Sequence, residues 1–344
     1  MVAPTLSVVI IGRNEGTRLT RCLQSVVGLQ GLGQIEVIYV DSASTDASPD
    51  NARNYHAQVV VLDGEGQTAA RGRNAGWRRA LAEYVLFLDG DTILNPEFPG
   101  AALKILQSNA QIAAVWGHRR ELCPERSIYN RMLDLDWIYL PGFTEYFGGD
   151  VMVRRKALVE TEGYDPSLIA GEEPELGRRL RARGYLILHI DTPMTLHDMN
   201  MTRFRQYWLR AVRAGYAYAE ISDRFGRSND PMWKEESRRN LIRGAAWITW
   251  ICIGVGLTAI RSWGILAWIA VLAVFAIRSA WRVRYKAPGQ TLLLLLYGIH
   301  SHLQQVPVLF GQLQYQRSRR SGKQVGIIEY KGEADASTSV SATP

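Results

Sequence analysis

The chain has 344 residues, 40 Lys and Arg against 33 Asp and Glu, and three cysteines. That length accommodates one large domain with an appendage or two ordinary domains, and Cys22, Cys123 and Cys252 lie too far apart for a disulfide-built scaffold or a cysteine-rich zinc module. The positive excess is uneven: residues 1–232 hold 26 basic against 28 acidic side chains, and residues 233–344 hold 14 against 5. Because the basic third also carries the longest apolar stretches, membrane lipids are the expected partner of these charges and nucleic acid is not.

The N-terminus, MVAPTLSVVIIGRNEG, is a short β-branched run ending at a turn and reads as a first strand, not as a signal peptide. Further strands are predicted over Ile35–Asp41, 58–63, 84–91 and 185–191, and helices over Thr17–Val27, 69–82 and Glu97–Ser108. Strand and helix alternate, and the strands are short apolar runs without strict alternation. That pattern requires a sheet covered on both faces, so the fold class is α/β with a mostly parallel sheet. In such sheets ligands bind beyond the carboxyl ends of the strands. Those ends are acidic here: Glu15 in GRNE, Asp41, Asp63, and Asp89 with Asp91.

Past residue 240 the character changes. The stretches 244–260 and 262–277 run 17 and 16 residues without charge, separated by Arg261. Each is near the lower limit of about 17–20 residues for a spanning helix, which predicts a helical hairpin or a re-entrant pair. Arg238, Arg239 and Arg243 precede the first stretch and Arg278, Arg282, Arg284 and Lys286 follow the second, so the positive-inside rule puts both flanks in the cytoplasm. A third stretch, 291–311, begins TLLLLL but holds His300, His302, Gln304 and Gln305, and is expected to lie at the membrane interface. The expected organisation is a catalytic α/β unit over 1–232, a membrane-associated helical region over 233–331 and a disordered tail over 332–344.

Several constellations carry chemistry. Asp89-Gly90-Asp91 follows the apolar run YVLFL, where two carboxylates flanking a small residue suit a hard cation, or equally a turn with an N-cap aspartate. VDSASTD (40–46) sets hydroxyls and amides after Asp41, fit for a nucleoside or for a plain helix cap. In GEEPEL (171–176), Glu172 and Glu173 open a basic helix, as a general base or as charges complementing its dipole. His197, in TLHDMN after a strand, is by itself a weak metal signal.

The order of SVVIIGRNE (7–15), IEVIYVDSASTD (35–46), ARGRNAG (70–76), YVLFLDGD (84–91), FGGDVMVRRKAL (147–158), EGYDPS (162–167) and GEEPEL resembles glycosyltransferase family 2, inverting enzymes of GT-A fold, over about residues 5–215. The resemblance implies that Asp41 contacts the donor's base and that Glu15 belongs to the nucleoside pocket. It implies that Arg73, with Arg71 as competitor, lies near the donor diphosphate, and that Asp89 and Asp91 form a DXD motif for Mg2+ or Mn2+, Asp91 being the direct ligand. His197 matches a further metal-ligand position. Glu173 stands where the family has its catalytic base, usually an aspartate, and Glu172 stays open for that role. Gly149 and Asp150 fall where donor sugar meets acceptor, and Arg154 at a basic position beyond them. The family's processive members carry QxxRW, whereas Gln206, Trp208 and Arg210 stand here as QYWLR, which argues for single-sugar transfer.

The implied activity is metal-dependent transfer of one sugar from a nucleoside-diphosphate sugar, a UDP-sugar foremost. The implied acceptor is a lipid-linked or cell-envelope glycan at the cytoplasmic membrane, with the catalytic unit facing the cytoplasm. Two alternatives are a sugar nucleotidyltransferase, for which GRNEG is a poor triphosphate loop, and a catalytically silent membrane subunit that binds nucleotide sugar.

Overall fold

A computed structural model of the chain describes residues 3–63, 67–228, 230–260 and 264–322. The Arg261 turn, Lys323 and the 332–344 tail lie outside the described residues. The elements run β1 (Leu6–Gly12), α1 (Thr17–Val27), β2 (Ile35–Asp41), α2 (Ser48–Asn54), β3 (Gln58–Val61), α3 (Ala69–Trp77), β4 (Tyr84–Asp89), β5 (Thr92–Leu94), α4 (Glu97–Ser108), β6 (Ile112–Glu121) and α5 (Ile128–Asp136). They continue with β7 (Gly142–Phe143), β8 (Val151–Arg154), α6 (Arg155–Thr161), α7 (Glu172–Ala182), β9 (Leu186–His197), α8 (Phe204–Phe225), α9 (Lys234–Ile260), α10 (Gly264–Arg282), α11 (Thr291–Leu303) and α12 (Gln305–Ser321).

Helix α1 buries Leu19, Cys22, Leu23 and Val26, a single stripe at helical spacing, and it begins and ends where the periodicity predicts. Helix α3 was expected to reach residue 82 and stops at Trp77. The amides that follow are captured by the sheet instead: Leu81 N donates to Glu36 Oε1 at 2.5 Å and Ala82 N to Ser7 Oγ at 3.0 Å.

The strands form one sheet in the order β3-β2-β1-β4-β8-β6-β9-β5, with β7 paired to β9. β1, β2, β3, β4, β6 and β9 point one way, and β5, β7 and β8 run against them. The order reverses between β1 and β4, the topological switch point at which open α/β sheets bind ligands. Since β8 is antiparallel, the residues before it emerge at the same edge as the carboxyl ends of β1, β2, β4, β6 and β9. β9 extends past its expected end because Pro193, Thr195 and His197 pair with His118, Arg119 and Glu121, and His197 also pairs with Thr92 of β5.

Beyond the sheet, the segments Lys234–Ala259 and Thr291–Ser321 are long and apolar enough to cross a membrane, judged by length and composition. Two polar residues of the third stretch have protein partners: Tyr207 OH lies 2.9 Å from His300 Nδ1, and Ser279 Oγ lies 2.9 Å from His302 Nε2. Helix α12 lies directly on α8, with glycine on both sides of the crossing. A Cβ on Gly311 would sit 2.0 Å from Val212 O, and one on Gly215 2.0 Å from Val308 O.

Neither backbone can yield cheaply at such a crossing, so Gly311→Val should cost at least the ~1–3 kcal/mol typical of overpacking. Chemical denaturation in detergent and limited proteolysis check this, the expected new cleavages falling between α11 and α12. An unchanged digest would contradict backbone contact at this crossing.

Candidate active site

The carboxyl edge of the sheet gathers the polar groups. In the loop after β2, Asp41 is buried and accepts from Ser44 N at 2.7 Å, Ser44 Oγ at 2.6 Å and Tyr39 OH at 2.9 Å. The loop after β1 is stitched to it: Asn14 N donates to Ser44 Oγ at 2.9 Å, and Thr45 N to Asn14 Oδ1 at 2.7 Å. Glu15, paired with Arg18 at 2.9 Å, packs against the bare edges of Gly12 and Gly90. A Cβ on Gly90 would meet Glu15 Cγ at 3.1 Å and Ile11 O at 3.2 Å, so glycine is needed there for room between two loops.

Asp89, Asp91 and His197 bring one ligand atom each to within 4.8 Å of one another. His197 Nε2 lies 3.3 Å from Asp91 Oδ1, and the two ligand-bearing loops are joined where Asp198 N donates to Asp91 O at 2.9 Å. Two carboxylates and one imidazole converging from β4 and β9 fit a divalent cation with mixed oxygen and nitrogen ligation.

Arg73 ties this cluster to the glutamate pair. Its guanidinium is buried, with Nη2 3.0 Å from Asp89 Oδ1 and Nη1 2.9 Å from Glu172 Oε1 and 3.3 Å from Glu173 Oε1. The Arg73 pKa is raised: burial acts against the cation, and the surrounding carboxylates, Glu173 foremost, outweigh it. Gly149 must be bare for this arrangement, since a Cβ there would stand 2.7 Å from both Arg73 Nη2 and Asp89 Oδ2.

The two glutamates differ. Glu172 is buried, whereas the Glu173 side chain keeps 18% of its surface accessible. Burial, then the neighbouring Glu172, pushes the Glu173 carboxyl up to about 7, although Arg73 pulls the other way. A carboxyl poised there can take a proton near neutral pH.

Of the two arginines expected near the donor diphosphate, Arg73 bridges three carboxylates, Asp89 of the DXD pair among them, and Arg71 is exposed on the first turn of α3. Asp150, expected where donor sugar meets acceptor, is buried against Asp89, taking Asp89 N on Oδ1 at 3.1 Å and Thr195 Oγ1 on Oδ2 at 2.7 Å. Arg154 sits at the opposite end of the sheet, paired with Glu83 at 3.0 Å, because β8 runs antiparallel. Gln206, read within QYWLR, caps α8: its Oε1 accepts Thr202 N at 3.0 Å and Arg203 N at 2.9 Å.

Residues 7–159 match the model of Glycosyl transferase family 2. Residues 7–159 carry a family 2 glycosyltransferase domain. Among relatives by sequence, the putative glycosyltransferase EpsH of Bacillus subtilis is 33% identical over 101 residues, 28% of this chain and 29% of that protein. The validoxylamine A glucosyltransferase of Streptomyces hygroscopicus subsp. jinggangensis is 27% identical over 221 residues, 53% of this chain and 52% of that protein. The chain thus spans about half or less of the length of these relatives. The fold is GT-A: a mannosyltransferase from Pyrobaculum calidifontis, solved with GDP-Man and Mn2+, superposes with a TM-score of 0.61 at 18% identity, covering 92% of this chain and 88% of that chain. The glutamate pair and His197 lie beyond the matched stretch and meet it through Arg73 and Asp91.

Arg119 and Trp137 went unread in the sequence. Arg119 Nη2 lies 2.9 Å from Asp150 Oδ2 and 3.9 Å from Asp89 Oδ2, its guanidinium 5.5 Å over the Trp137 ring, and that ring is 5.1 Å from His197. The signal was present: β6 ends in HRRE, a strand terminus as charged as the acidic ones already given weight.

Proposed function

We propose that this chain transfers a single sugar, with inversion, from a nucleoside-diphosphate sugar to a lipid-linked or cell-envelope glycan acceptor at the cytoplasmic face of the membrane. The observation that carries the reading is the meeting, at one sheet edge, of the Asp41 loop, the Asp89/Asp91/His197 cluster and a partly accessible Glu173 with its carboxyl near 7. The fold shared with a mannosyltransferase solved with GDP-Man and Mn2+ supports it.

The Asp41 loop, its hydroxyls already ordered by Ser44 and Asn14, holds the nucleoside; Glu15 closes that pocket from the β1 side. Asp91 and His197, with Asp89, would hold Mg2+ or Mn2+, and an ion there would supply positive charge to offset that of the leaving diphosphate. Glu173 takes the proton from the acceptor hydroxyl as it attacks the anomeric carbon from the face opposite the leaving group. Glu172 and Asp89, both anchored on Arg73, fix the distance between the base and the diphosphate site. The two long apolar segments and the basic C-terminal third support an acceptor presented at the membrane.

The test is release of nucleoside diphosphate by the full chain in native-like lipid, screened over UDP-, GDP- and dTDP-sugars with Mn2+. Sugar appearing on a membrane-extractable acceptor, with diphosphate released in equal amount, is the expected result. With added pyrophosphate, conversion of the donor to nucleoside triphosphate and sugar phosphate without transfer would favour a nucleotidyltransferase, and binding without turnover a silent subunit.

A further inference from the structure

The C-terminal helices touch the site through the end of one short helix. Four consecutive residues at the end of α5 each reach a different part of the molecule. Asp134 locks onto β6, accepting Arg120 Nε at 2.8 Å and Nη2 at 2.6 Å, and Glu121 N at 2.9 Å. The Leu135 carbonyl accepts Lys286 Nζ at 2.6 Å. Asp136 accepts Tyr297 OH from α11 at 2.6 Å, and His300 Nε2 of the same helix lies 3.6 Å from its second oxygen. Trp137 turns inward, against His197 and beneath Arg119.

Packing reinforces the bonding. Met132 and Leu135 share one apolar cluster with Ala280, Leu294 and Tyr297. On the other side of α5, Leu133 and Trp137 pack with Met199 and Met201, the residues just past His197.

We infer that Tyr297, supported by His300, is a positioning residue for the sugar-transfer site: by fixing Asp136 it fixes Trp137, and Trp137 sets the orientation of His197. The C-terminal helices are then part of the catalytic apparatus as well as a membrane attachment. This inference rests on the metal-site reading above only for its effect on the ion; the coupling of α11 to the 195–201 segment stands apart from it.

The experiment uses the full chain in detergent, with two readouts that do not depend on turnover: hydrogen exchange by mass spectrometry and Mn2+ affinity by calorimetry. Tyr297→Phe removes one hydroxyl and keeps the ring. It should speed exchange in the segments 137–140 and 195–201 and weaken Mn2+ binding by about tenfold, the scale of losing an outer-shell partner. Trp137→Ala should do the same, and Tyr297→Phe should add little in that background, because both act through one link. Leu292→Ala, on the exposed side of α11, should change neither readout.

Faster exchange confined to α5 and α11, additive losses in the double variant, or an equal effect from Leu292→Ala would each overturn the inference. Absence of Mn2+ binding in the wild-type chain would overturn the metal reading instead, while exchange in 195–201 would still decide the coupling.

Discussion

Glu173→Gln is expected to bind donor as the wild type does and to lose about 100-fold or more in turnover, the usual loss when a general base is removed. The amide keeps the shape and can still receive a hydrogen bond from Arg73, so only the proton acceptor disappears. Glu172→Gln tests something different. Glu172 is the buried partner of Arg73, 2.9 Å away, and its neutralisation disturbs the bridge that also holds Asp89. Donor affinity should therefore fall with turnover in that variant.

The pH profile gives the independent check. With its folded-state pKa raised to about 7, Glu173 is protonated below that pH and idle as a base. The wild-type kcat/KM should rise tenfold per pH unit up to about 7 and level off above it. The residual activity of Glu173→Gln should lack that limb. A full-strength Glu173→Gln with a dead Glu172→Gln would exchange the two roles.

Asp91→Ala is the second large expected effect: loss of Mn2+-dependent donor binding, beyond the about 10–100-fold that an outer-shell change costs. Asp89→Ala should weaken the ion less directly, since that carboxylate is shared with Arg73 and Arg119. Burial raises the Asp89 pKa, but the two arginines outweigh it and hold the group below the usual carboxylate range, so it stays charged with or without an ion. Calorimetric titration of Mn2+ with a nucleoside diphosphate separates these cases. Unchanged affinity in both Asp91→Ala and His197→Ala would remove the cluster from consideration as the metal site.

The elements that could be read from sequence are those whose signal is local. Helices α1 and α4 and strand β2 carry their own periodicity, and the structure begins and ends them at the expected residues. The far half of β9 has none, for TPMTLH is a strand only because β5 and the end of β6 lie on either side of it. Within the site, Asp41, Asp89 and Asp91 were visible because they end apolar runs. What stayed hidden was partnership. Nothing in ARGRNAG says that Arg73 faces inward to three carboxylates and Arg71 outward, and Asp150 falls beneath Asp89 only because β8 reverses direction.

The glycine-to-backbone crossing of α8 and α12 bears on where the molecule can be divided. A division at residue 232, between the α/β unit and the apolar helices, would leave α8 attached to the sheet but stripped of its partner. Val212, Tyr216 and Gly215 would then face water. Helix α8 is held from both sides, for Arg213 donates to Ile169 O at 3.1 Å, Arg224 donates to Ser167 Oγ at 2.7 Å, and Ile221 packs on Leu168. A fragment, or a graft of these helices onto another catalytic unit, therefore has to keep α8 with both α12 and the 165–169 loop. The sheet and the apolar helices share that one helix, and neither can be exchanged without redrawing the other's edge.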